Sequence, residues 1–258
     1  MADAYEIFLD GLKRKKGLDL TGYKRPQMER RINSLMRSLK ITDYSTYLEV
    51  LEKEIGYWRK FLDTLTINVS EFYRNPAQWK VLEDKILPEL IEMSRSLKIW
   101  SAGCSTGEEP YTLAMVMMNR FPNTNFTLLA TDVDNEVLNK ARMGAYNDKA
   151  VLNLPQDYIS KHFIKEGSNF IIKDDVKARV KFTKHNLLTE EFNNNFDMIL
   201  CRNVVIYFTE DSKAQLYRKF YSALKPGGIV FTGSTEQIFH AREIGFSLIS
   251  SFFYQRGN

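Results

Sequence analysis

The chain reads as an α/β protein: an N-terminal all-helical domain, then a parallel sheet with helices on both faces and a small inserted β-subdomain. Three observations predict this. Residues up to about 65 carry only helical periodicity. From Leu97 onward, strand-like apolar runs alternate with helical ones, the pattern of a parallel sheet. Between Lys98 and Pro110, KIWSAGCSTGEEP passes from a buried strand through small residues into a helix.

In the helical part, Pro26 is suited to the first turn of a helix. On a 100° wheel Met28, Ile32, Leu35, Met36 and Leu39 fall on one side, with Arg30, Arg31, Ser34 and Arg37 opposite. Lys13 to Lys40 holds ten basic residues against two acids, Asp19 and Glu29. That face is either solvated surface or a docking surface for an acidic partner. A third helix, from about Asp43 to Glu54, puts Tyr44, Tyr47, Leu48 and Leu51 inward, and a fourth runs from about Tyr57 to Leu65.

LTINVSEFYRNP, Leu65 to Pro76, joins the two parts. Asn68, Ser70 and Arg74 among the aromatics Phe72 and Tyr73 make it either a packed joint or a lining of the site.

In the sheet part, strands are expected at 98–102, 126–131, 179–184, 196–201 and 228–233, and helices at 108–120, 134–142 and 210–224. FSLISSFFYQR reads either as one further strand or as a strand split into a terminal hairpin. Between 142 and 179 lies an insert with a short helix, Gln156 to His162, and a hairpin turning near Gly167-Ser168.

The turn Gly103–Gly107 lets backbone N–H groups approach a ligand. Asp132, at the tip of the following strand, can accept hydrogen bonds from ribose hydroxyls. The spacing is not G-x-G-x-x-G, so a dinucleotide site fails. A ligand-free turn, a hydrolase nucleophile elbow with His240 as base, and an S-adenosylmethionine (SAM) site remain open. The other strand ends supply Asn186, Leu187, Arg202 and Asn203. Each asparagine is either a turn residue or an amide for a ligand edge. Tyr207 either overhangs the pocket or packs in the core.

The 258 residues carry a formal net charge of +4, too mild to argue for nucleic acid. No apolar run approaches a membrane span and no signal peptide is evident. Cys104 and Cys201, at strand ends, are expected as reduced thiols in a cytoplasmic protein.

Five segments in order, LTINVSEFYRNP, KIWSAGCSTGEEPYTLA, LLATDVDNEVLNKAR, FDMILCRNVVIYF and LKPGGIVFTGSTE, together resemble the chemotaxis receptor glutamate O-methyltransferase (CheR) family over nearly the whole chain. The resemblance implies a receptor-docking helical domain over 1–65 and a site-lining linker over 66–76. It implies a Rossmann-like class I SAM-dependent methyltransferase domain over 77–258, with its β-subdomain at about 145–178. It further implies SAM as cofactor, S-adenosylhomocysteine (SAH) as product and no metal. Asn68, Ser70, Arg74, Gly103, Glu109, Asp132, Asn186, Leu187, Arg202 and Asn203 become the expected cofactor residues, with Glu108 an alternative to Glu109. Arg74 and Tyr207 become the expected catalytic pair, holding the substrate carboxylate. Arg30, Arg31 and Arg37 become the expected docking residues for the cytoplasmic helical bundle of chemoreceptors. The hairpin insert is shorter than in relatives that grip a receptor's C-terminal pentapeptide, so no such tether is expected. A monomer without nucleic-acid partner or membrane insertion is expected. Methylation of RNA and a silent SAM-sensing scaffold are the competing functions.

Overall fold

The computed structural model describes residues 3–65 and 70–257. It divides into two compact units, residues 1–68 with 207–215 and residues 69–206 with 216–258.

The first unit is built from α1 (Ala4–Lys16), α2 (Arg25–Ser38), α3 (Tyr44–Lys53) and α4 (Ile55–Leu65). Asp3 and Asp43 cap α1 and α3 by accepting from the N–H groups of Glu6 and Thr46. Pro26 lies in the first turn of α2, as its fixed φ favours. The apolar stripe Met28, Ile32, Leu35 and Met36 is buried with Phe8, Leu12, Tyr47, Leu51 and Phe61 in one core. Residues 207–215 join this unit: Lys24 N–H donates to the Tyr207 carbonyl (2.8 Å) and Thr209 N–H to the Gly22 carbonyl (2.9 Å).

The second unit opens with a helical stretch that the sequence analysis left unassigned: α5 (Pro76–Val81), a π-helical turn (Leu82–Ile86) and α6 (Leu87–Met93). Its sheet strands are β1 (Ser96–Ala102), β2 (Asn125–Asp132), β6 (Val180–Lys184), β7 (Phe196–Cys201), β8 (Leu224–Thr232), β9 (Phe246–Ser250) and β10 (Phe253–Arg256). Their order is β6-β2-β1-β7-β8-β10-β9. The first five pair in parallel, and β10 runs antiparallel to both β8 and β9. The terminal segment is therefore a hairpin, the second of the two expected forms. Connecting helices are α7 (Glu108–Arg120), α8 (Asn135–Met143) and α11 (Glu210–Ala223).

Alternation along β1 covers both faces of the sheet. Leu97 and Ile99 share a core with Leu113 and Met117 of α7. Trp100 turns the other way, its ring 5.7 Å from that of Phe220 on α11. The insert forms a separate sheet, β3 (Ala145–Asn147), β5 (Asn169–Ile172) and β4 (Phe163–Glu166), with α9 (Gln156–His162) and α10 (Asp174–Lys177). Among the described residues, no helix is long and apolar enough to cross a membrane.

Candidate functional site

Strand order reverses between β1 and β7, and open parallel sheets bind ligands beyond the carboxyl ends of the strands at that point. After β1 the chain turns abruptly. The N–H groups of Gly103 and Cys104 both donate to the Thr131 carbonyl, at 2.8 and 2.9 Å, which ties the turn to the end of β2. Gly103 has a φ of 83°, and a Cβ there would collide with Val204. Only glycine meets both demands.

Asp132 is held by this turn. Its Oδ2 accepts from Ser105 N–H (2.9 Å) and its Oδ1 from Asp134 N–H (3.1 Å). Burial pushes its carboxyl pKa above the ordinary 3.8, against the lowering effect of these peptide groups. Beside it, Asp134 caps α8 through one carboxylate oxygen, and the other, Oδ2, is buried without a protein partner. An oriented carboxylate and an orphaned acceptor at the β2 tip, facing a turn bare of side chain at Gly103, fit a nucleoside with a ribose diol.

The two acids that open α7 are both engaged. Thr106 Oγ1 donates to Glu108 at 2.7 and 2.8 Å, and Ser70 also hydrogen-bonds that carboxylate. Glu109 accepts from Ser101 Oγ (2.8 Å) and pairs with Arg202 (3.4 Å). Burial raises the pKa of both. Tyr146, on β3 of the insert, donates to the Thr106 carbonyl at 2.6 Å. The inserted sheet thus buttresses the turn.

Arg74 lies in a backbone fixed from several sides. Tyr73 and Asn75 both have left-handed φ, 55° and 62°. The Arg74 carbonyl accepts from Trp79 Nε1 (3.0 Å) and Arg202 Nη2 (2.8 Å). Tyr73 donates its hydroxyl to Glu83 on the π-helical turn, and Arg120 holds the other Glu83 oxygen at 3.0 Å. Phe72 is fully buried between Tyr146 and Phe163. Residues 70–76 are therefore packed and oriented, with aromatic side chains as anchors. Of eight non-glycine residues with positive φ among the described residues, Tyr73, Asn75, Ser105 and Asn203 lie on these segments. Such strain persists where surrounding structure over-determines it.

Arg202 has a side chain only 2% exposed. Besides Glu109 and Arg74 it bonds Asn75 Oδ1 and Gln78 Oε1, both at 3.1 Å, and lies over the Phe231 ring at 4.6 Å. Its guanidinium is an internal tie between β7, α7 and the Arg74 loop. Asn186 accepts from Leu188 N–H through Oδ1 (3.0 Å), so that oxygen serves a local turn. Leu187 is buried and Asn203 half-buried.

Ser70, Arg74, Gly103, Glu109, Asp132, Asn186, Leu187, Arg202 and Asn203 all belong to the second unit. Arg202 links Glu109 to the Arg74 carbonyl, Ser70 bonds Glu108, and Asp132 bonds Ser105 of the turn. Asn68 lies outside the described residues. Tyr207 groups with the helical unit, where Arg31 lies over its ring at 4.9 Å. Arg30 and Arg37 are exposed, whereas Arg31 is half-buried and also donates to the Leu65 carbonyl. His240, the base of the elbow reading, is exposed and paired with Glu243 at 2.9 Å. Cys104 and Cys201 are buried, and burial holds both thiols protonated. Among the described residues, no group of three His, Cys, Asp or Glu is assembled as a metal site. Glu83 and Glu236 were not among the residues expected from the sequence. Glu83 lay in the unassigned stretch, and the GSTE following β8 was the available signal for Glu236.

Two family models match this chain. One described as "CheR methyltransferase, all-alpha domain" covers residues 3–66, and one described as "CheR methyltransferase, SAM binding domain" covers 68–252. A chemotaxis protein methyltransferase of Listeria innocua is 39% identical over 97% of this chain and 96% of its own length. Proteins of the same description from Borreliella burgdorferi and Escherichia coli are 36% and 33% identical, over 86% and 88% of this chain and 83% and 81% of theirs.

Proposed function

This chain belongs to the CheR methyltransferase family, and from that premise we propose that it methylates glutamate side chains on the cytoplasmic helical bundle of chemotaxis receptors. It is a SAM-dependent methyltransferase of chemotaxis. The observation that carries the reading is the Asp132 carboxylate, oriented by the Gly103–Gly107 turn at the strand-order reversal of a sheet whose family model is a SAM-binding domain.

SAM, when bound, supplies a sulfonium-borne methyl: a carboxylate oxygen gains the O–C bond, the C–S bond breaks with its electron pair onto sulfur, and no proton leaves. Everything else falls to the protein. A free glutamate has a pKa of about 4.3 and is already nucleophilic at neutral pH, so no general base is required. Position and desolvation are what remain, and alignment alone can supply roughly 7–11 kcal/mol. Asp132 holds the ribose, the Gly103 turn admits the backbone close to the nucleoside, and Glu109 or Glu108 takes the methionine amino group. Arg74 and Tyr207 orient the substrate carboxylate. A tight ion pair to Arg74 would quench the nucleophile, so its contact is an orienting one. The exposed Arg30 and Arg37 steer the chain to acidic receptor surface. The cofactor assignment is tested by calorimetry with SAH: the wild type binds, and Asp132→Ala loses most of the affinity while remaining folded. An unchanged affinity in that variant would remove Asp132 from the site.

A further inference from the structure

We propose that Glu236 is a positioning residue for methyl transfer, its carboxylate fixing the loop that carries Arg202 and Asn203 beyond β7. The inference rests on the methyltransferase reading above and names a residue that reading does not use.

Glu236 follows β8 and is 3% exposed. Among the described residues, it faces no lysine or arginine in a direct ion pair. Instead its oxygens collect peptide protons. Oε2 accepts from the N–H groups of Asn203 and Gly233 (2.9 Å for Gly233), and Oε1 accepts from Val205 N–H at 2.9 Å. Ile206 contributes a further peptide hydrogen bond. A buried carboxylate bonded in this way is a strong acceptor with no alternative partner in water. It therefore locks several N–H groups at once, where a neutral side chain would satisfy fewer.

The locked loop is one that would not hold its shape alone. Asn203 sits at a φ of 60°, in the left-handed region. Gly233 makes the lock possible, because a Cβ there would occupy the place of the Glu236 carboxylate and lie 2.9 Å from Asn203 N. The next link is Val204, between two residues held by Glu236. Its side chain fills the space beside Gly103 that a Cβ would claim. The ends of β8, β7 and β1 are thus chained through one carboxylate and one valine. The chain ends on the turn that orients Asp132. Arg202 immediately precedes the loop, and Glu236 and Arg202 also attract one another through the interior.

The test uses the full-length protein with Glu236→Ala, Glu236→Gln and Gly233→Ala. Amide hydrogen exchange is followed over residues 202–207 and over residues 44–53 of α3 as an internal control. SAH affinity, and kcat and KM with a chemoreceptor cytoplasmic fragment, are measured alongside. In Glu236→Ala, exchange accelerates over 202–207 and not over the control segment. SAH affinity falls by about tenfold and kcat by on the order of 10²-fold, the scale of a reacting group misplaced by about 1 Å. KM for the receptor fragment is unmoved. Glu236→Gln, which keeps one acceptor oxygen, is intermediate. If Glu236→Ala does not fold, Glu236→Gln and Gly233→Ala carry the same comparison. Normal exchange over 202–207, or normal kcat and SAH affinity despite faster exchange, overturns the proposal. Wild-type protein that binds no SAH would instead sink the methyltransferase reading, so the two failures are distinguishable.

Discussion

The guanidinium of Arg31 lies 4.9 Å from the ring centroid of Tyr207 and donates to the carbonyl of Leu65. On the wheel of α2, Arg31 stands only about 60° from Met28, at the border of the apolar stripe rather than opposite it. Arg30 and Arg37 point away from the stripe and are exposed. One basic helix thus carries two kinds of arginine.

Their variants should separate. Arg30→Glu with Arg37→Glu should raise KM for a chemoreceptor fragment several-fold, with an effect that shrinks in salt, and leave SAH affinity intact. Arg31→Ala should instead lower kcat, because it frees Tyr207, one of the proposed substrate-orienting pair. Steady-state kinetics at low and high ionic strength check this. A pure KM effect for Arg31→Ala would return it to the docking face.

Arg202 makes a stability prediction. Removing one partner of a buried ion pair leaves a charge uncompensated and costs about 3–5 kcal/mol. Arg202→Met should show a loss of that order in urea unfolding, with Glu109 left unpaired. The double variant Arg202→Met with Glu109→Gln should lose less than Arg202→Met alone. Additive losses would show that the pair is not coupled.

The pH dependence follows from Asp132. Burial raises its folded pKa above 3.8. A ribose hydroxyl donates to the ionised form, so SAH affinity is complete above the raised pKa and is lost as pH falls through it. Stability of the free protein has the opposite sign: ionising the buried carboxyl is unfavourable, so this group's cost is relieved as pH falls through the folded pKa. Glu108 and Glu109 are raised in the same direction and add to the acid limb. Calorimetry carried from neutral pH down to the acid limit of the folded protein should show affinity weakening toward acid with proton release on binding, less so in Asp132→Asn. Flat affinity across that range would contradict the assignment.

Much of this was legible before the structure. Strand-to-helix alternation placed the five parallel strands to within a few residues, since buried parallel strands read as continuous apolar runs. The hairpin insert was visible through its Gly167-Ser168 turn, whereas the terminal segment read equally as one strand or a hairpin. The stretch 76–93 was not assigned, although Trp79, Leu82, Ile86 and Leu90 keep helical spacing and are all buried. Pro88 obscured it. The helix accommodates that proline by a π turn, in which Leu87 N–H reaches the Leu82 carbonyl just before the residue without a donor. At the site, Asp132 and Gly103 announced themselves through local spacing. The Arg202 tie to the Arg74 carbonyl spans 128 positions, and the Glu236 lock depends on four peptide groups, three of them about thirty positions away. No local pattern encodes such contacts. The grouping of residues 207–215 with the helical unit is a tertiary fact of the same kind.

Transfer of a labelled methyl from SAM measures the central claim most directly. Chemoreceptor cytoplasmic fragment and RNA are offered in parallel to wild-type protein and to Arg74→Ala. Label should appear on the receptor fragment, be released as methanol in mild base as a carboxyl ester requires, and fall on the order of 10²-fold with Arg74→Ala. Base-stable label, label on RNA, or SAH binding with no transfer to the receptor fragment would contradict it.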